Sequence, residues 1–62
     1  MTGGAEYVAE FTAVAESLRL TTTDLLHDCQ ARQAWPQAAA TAEMGDLLAA
    51  ILHSLSNLAR DL

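Results

Sequence analysis

The side chains with most scope for chemistry cluster at Asp24, His27, Asp28 and Cys29. On a helix the first three fall at i, i+3 and i+4 and share one face. A carboxylate and an imidazole one turn apart can serve as two ligands of a metal ion. Such a site needs further carboxylates from a facing helix. The best-formed facing stretch, residues 44–62, has only Asp46 and Asp61, both on its polar side. The simpler account of Asp24, His27 and Asp28 is a solvated charged face. Cys29 points away from His27 and lies on the apolar stripe with Leu25 and Leu26, as a small buried hydrophobe would. A disulfide between two copies, or a reactive thiol, is the alternative for it. As the single cysteine it can form neither an internal disulfide nor a CxxC site. His53 reads as a solvated surface residue. No nucleophile stands with a base and an orienting third group, and no glycine-rich phosphate loop is present. The expectation is a protein without catalytic residues, metal ligands or cofactor.

Eight acids stand against three arginines and no lysine, a formal net charge of −5. Phosphate neutralisation needs clustered Lys and Arg, so a nucleic-acid partner is not expected. The same balance disfavours an anionic membrane surface. The longest wholly apolar run, Leu47 to Leu52, falls far short of the roughly 20 residues of a membrane span. The start, Met1 to Glu6, lacks the positive flank and apolar block of a secretory signal. A cytoplasmic protein is the expectation, with export by a route that uses no cleaved signal left open.

Two long elements must carry these residues. Thr41, Met44, Leu48, Ile51, Leu55, Leu58 and Leu62 step 3, 4, 3, 4, 3, 4, a heptad seam on an amphipathic helix. Leu47, Leu52 and Ala59 widen it, while Glu43, Asp46, His53, Asn57 and Arg60 fall opposite. In the first arm Tyr7, Phe11, Val14 and Leu18 recur at 4, 3 and 4, and Thr22, Leu25 and Cys29 continue the stripe. Thr21-Thr22-Thr23 opposes this continuity. Thr21 and Asp24 resemble a capping box between Leu20 and Leu25 at staple positions, and three β-branched residues in a row disfavour helix interior. Trp35-Pro36 is the strong punctuation: proline ends the preceding helix and suits the first turn of the next. Trp35 is expected to plug the end of the bundle, with a partner hot spot as its functional alternative. Ala38, Ala42, Gly45 and Ala49 form a strip of small residues that would let another backbone approach.

Helix, a bend with Trp, then a second helix resembles the small exported hairpins of the WXG-motif family. Trp35 and the alanines after Gln37 carry the likeness; Gln37 occupies that family's glycine position, and the Tyr-x-x-x-Asp/Glu export signal is not found. A second resemblance is to the hairpin co-chaperones that shield type III secretion needle subunits. It is carried by the aliphatic run Leu47-Leu48-Ala49-Ala50-Ile51-Leu52-His53. Either resemblance implies a protein that works by burying a helical face against a partner.

Sixty-two residues make one small domain, with ten leucines and thirteen alanines but few other bulky residues. The fold predicted is an all-α antiparallel hairpin, helix about 5–34, bend at 35–36, helix about 36–61, with 1–4 flexible. A kink or break near 20–23 is allowed for, a true break giving a compact three-helix bundle instead. Chains this size often complete their core by dimerising, here into a four-helix bundle. The function expected is a non-enzymatic protein–protein interaction module: a small adaptor, chaperone-like or regulatory subunit. Its partner-binding residues would be Met44, Leu47, Leu48, Ile51, Leu52, Leu55, Leu58, Leu62 and Trp35. One edge of the seam is expected to pack on Tyr7, Phe11, Val14, Leu18 and Leu25, and the other to meet a second chain or a protein partner. The alternatives are a hairpin of a secretion system, a metal- or cofactor-binding bundle around Asp24, His27 and Asp28, and an acidic antitoxin-like inhibitor of a basic partner.

Overall fold

A computed structural model describes residues 3–62. Two helices, α1 (Gly4–Ala31) and α2 (Trp35–Asp61), pack side by side as an antiparallel hairpin. The expected flexible lead lies outside the described residues at Met1 and Thr2; Gly3 is the N-cap and Gly4 already opens α1.

The threonine run does not break α1. The Thr21, Thr22 and Thr23 hydroxyls donate to the carbonyls of Ser17, Leu18 and Arg19, each four residues back. Bonded this way, the hydroxyls do not compete for the backbone as they do in a cap. The Thr21–Asp24 box therefore stays unformed and the helix runs through, which removes the three-helix alternative.

The reversal comes earlier than expected. α1 ends at Ala31 rather than 34, and the turn is Arg32-Gln33-Ala34. The Ala34 N–H donates to the Cys29 carbonyl at 2.9 Å and the Gln33 N–H to the Gln30 carbonyl at 3.1 Å. This is the Schellman pattern, with the left-handed residue usually supplied by glycine. Here Gln33 takes it, at φ 59°. Trp35 and Pro36 then form the first turn of α2, where a missing N–H costs nothing. Trp35 is 60% exposed and does not plug the bundle end.

The helices meet through small side chains. Val8, Ala15 and Cys29 of α1 and Ala38, Thr41 and Leu55 of α2 are buried. Thr12, Thr22, Leu26, Gly45, Leu48 and Leu52 are half-buried. These positions repeat at 3 and 4, so the contact is a heptad seam, though not the predicted one. It keeps Thr41, Leu48 and Leu55 but uses Gly45 and Leu52 in place of Met44 and Ile51. Small residues let two helix axes come close, and α1 offers its own small stripe at Ala15, Thr22 and Cys29 to match. Thr22 lies opposite Gly45: a Cβ built there would sit 3.8 Å from the Thr22 methyl. Of the small strip, Ala38 and Gly45 lie along the interhelical contact, while Ala42 and Ala49 border it on one side. Buried Thr41 donates its hydroxyl to the Gln37 carbonyl at 2.7 Å, and Thr12 to that of Val8 at 2.7 Å. The seam's polar groups are satisfied within their own helices.

The Cα envelope measures 49 × 16 × 11 Å. The described residues form two helices side by side and nothing stacked on them. Domains normally bury a core between two layers; this chain is a single layer.

Candidate interaction face

Viewed down an antiparallel pair, the two right-handed helices turn in opposite senses. The residue just before each seam position therefore points to the same side of the hairpin on both helices. In α1 those residues are Tyr7, Phe11, Val14, Leu18, Thr21, Leu25 and, at the bend, Asp28. In α2 they are Gln37, Ala40, Met44, Leu47, Ile51 and Ser54, with Leu58 continuing the row. Only Asp28 among them is charged, at the bend end and paired with Arg32. Tyr7, Phe11, Val14 and Leu18 are each more than half exposed, as is Leu47, and Leu25, Met44, Ile51 and Leu58 are 39–48% exposed. With Thr22 opposite Gly45, Phe11 lies near the level of Leu58, Leu18 near Ile51 and Leu25 near Met44, each pair within about half a turn. The result is one continuous apolar face built from both helices.

The residue just after each seam position points to the other side. There stand Ala9, Ala13, Glu16, Thr23 and His27, and across from them Ala42, Asp46, Ala49, His53, Ser56 and Arg60. Two grooves on this side are each lined by both helices, which fixes the handedness of the arrangement. One, of about 760 Å³, is lined by Glu16, Leu20, Thr23 and Ser56 among others. The second runs past Thr23, Ala42, Asp46 and Ala49. Arg19, at a seam position, lines both grooves. These grooves are open and of mixed polarity. Among the described residues no buried side-chain nitrogen or oxygen lacks a hydrogen-bond partner, so neither groove presents an orphan polar group to a ligand.

This arrangement redistributes the expected contact residues. Met44, Leu47, Ile51 and Leu58 lie on the apolar face. Leu48, Leu52 and Leu55 belong to the seam with α1, and their substitution would break the hairpin itself. Leu62 leans on the start of α1: a methyl added at Gly4 would lie 3.4 Å from both its Cδ atoms. Trp35 stands at the bend, outside the row. The expected packing of Tyr7, Phe11, Val14, Leu18 and Leu25 on the second helix is not found. They flank the seam and extend the face, because a single layer offers them nothing to pack under. Their outward direction was legible in the spacing only by aligning the small residues of both arms first.

Charge lies at the borders and, with Asp28, at the bend end of the face. Glu10 edges the apolar groove formed by Tyr7, Phe11 and Val14, and Glu43 precedes Met44 along α2. The arginines lie elsewhere: Arg19 in the opposite grooves, Arg60 bonded to Asn57, and Arg32 paired with Asp28 at 3.2 Å beside the bend. Asp28 is thereby engaged with a cation, and Asp24 and His27 are exposed on α1. Among the described residues no three His, Cys, Asp or Glu side chains gather into a group that could hold a metal ion. Cys29 is free and buried in the interhelical seam. No described helix is long and apolar enough to cross a membrane.

No family model, curated protein or solved structure gives a significant match to this chain.

Proposed function

We propose that this protein is a non-enzymatic helical interaction module that works by burying the face formed by Phe11, Leu18, Leu25, Met44, Ile51 and Leu58. One observation carries the reading: both helices turn most of their large exposed apolar residues to a single side, whose one charge, Asp28, lies at the bend. Scattered surface hydrophobes need no explanation, but a contiguous apolar patch on a soluble chain marks an interaction site. Action in the cytoplasm belongs to this proposal and rests on the sequence features above.

A second reading has its own support. The borders of the face carry Glu10 and Glu43 and no arginine, which suits a partner with a basic rim, as an acidic inhibitor would have.

The interaction reading is tested by comparing Leu18→Asp with Leu20→Asp. Leu20 is 71% exposed on the opposite side, so the two changes are chemically identical and differ only in location. Complexes isolated at native expression level should be lost with Leu18→Asp and kept with Leu20→Asp. Equal recovery of the same complexes with both variants would remove the apolar face from the account.

A further inference from the structure

We propose that the occupant of this face is a second copy of the chain, two hairpins closing face to face into a four-helix bundle; this rests on the interaction reading above. The first argument is area. The chain exposes 4735 Å², whereas a compact monomer of 6.6 kDa would expose about 3,900 Å². The excess, roughly 850 Å², matches the ~800 Å² that each partner contributes to a stable interface.

The second argument is the core. Among the described residues only Val8, Ala15, Cys29, Ala38 and Leu55 are buried hydrophobics, and no large side chain is fully buried. A chain of this length must cover more apolar surface than that to fold stably. Its own copy is the one occupant present whenever the chain is.

Third, a two-fold interface sets a patch against itself. From Tyr7 to Leu25 and from Ala40 to Leu58 the face positions carry no charge, and Asp28 at the bend end is already paired with Arg32, so self-pairing brings no unpaired like charges together inside the contact. Glu10 and Glu43 point to the outer edges, where a bundle leaves them in water. What remains is long-range repulsion between two chains of net charge −5, which salt screens. Self-association should therefore tighten as salt is added. A complex with a basic partner should weaken.

Equilibrium sedimentation of the full chain tests this. The wild type should run at twice the 6.6 kDa chain mass, and more tightly at high salt. Leu18→Asp and Ile51→Asp should each weaken the dimer by ~100-fold or more, through burial of a carboxylate in an apolar contact. Leu20→Asp should leave it unchanged. Because a face variant could also unfold the chain, an isotope-filtered spectrum of mixed labelled and unlabelled wild type gives a second readout. It should show contacts between chains at Phe11, Leu18 and Ile51. A folded wild-type monomer overturns the second copy as occupant, and the interaction reading survives only if Leu18→Asp loses a different partner. A dimer broken by Leu20→Asp but not by Leu18→Asp overturns both.

Discussion

Inside the hairpin the helices meet through Ala15, Cys29, Ala38 and Thr41, while beside that seam Phe11, Leu18, Ile51 and Leu58 stand about half in solvent. Most small domains put the large residues inside. The difference separates what holds the hairpin from what it leaves exposed. Small residues bring two backbones together and set the register. Large ones, left over on one side, hold most of the exposed apolar area. The seam makes the hairpin, and the face carries the proposed interaction.

Changes to the seam should act on the hairpin directly. Leu55 is the largest buried side chain of α2, and Leu55→Ala should lower unfolding free energy by about 2–4 kcal/mol in denaturant titration. A loss well below that range would mean the seam is not where the hairpin is held. Ala15 is 1% exposed, and Ala15→Leu should cost about 1–3 kcal/mol by forcing the helices apart. At Leu18, by contrast, a conservative change to Met should be nearly silent in the same titration.

Two smaller predictions go the other way. Gly45→Ala should stabilise by up to about 1 kcal/mol through helix propensity, because the new methyl meets the Thr22 methyl at an ordinary 3.8 Å. Destabilisation on thermal unfolding would show a closer seam than described. Gln33→Gly should raise stability by about 0.5–1 kcal/mol, since the left-handed backbone at φ 59° is uncomfortable for a residue with a Cβ. A Gln33→Gly protein no more stable than the wild type would show that the turn relaxes in solution.

The hairpin was legible in the sequence because its signals agreed: two 3,4-spaced arms of similar length around Pro36. The placement of the turn was not, because a left-handed Gln33 has no compositional mark. Nor was the fate of Thr21–Thr23, where back-bonding to the preceding turn and a helix cap call for the same residues. The exposed apolar face was half legible. Met44, Leu47, Ile51 and Leu58 stood out by size, yet ranking by size also placed Leu48, Leu52 and Leu55 with them. Those three face α1, because matching small stripes, not the largest residues, decide which faces of two helices meet. By the same ranking Phe11, Leu18 and Leu25 read as cover for α2. In a single layer they are its continuation.

The most direct test of the central claim is thermal unfolding across a hundredfold dilution, a design that needs no variant. If the face is buried by association, folding is coupled to it, and Tm must fall as the protein is diluted. A Tm that stays constant over the whole dilution series, with a folded monomer at every concentration, would contradict the account.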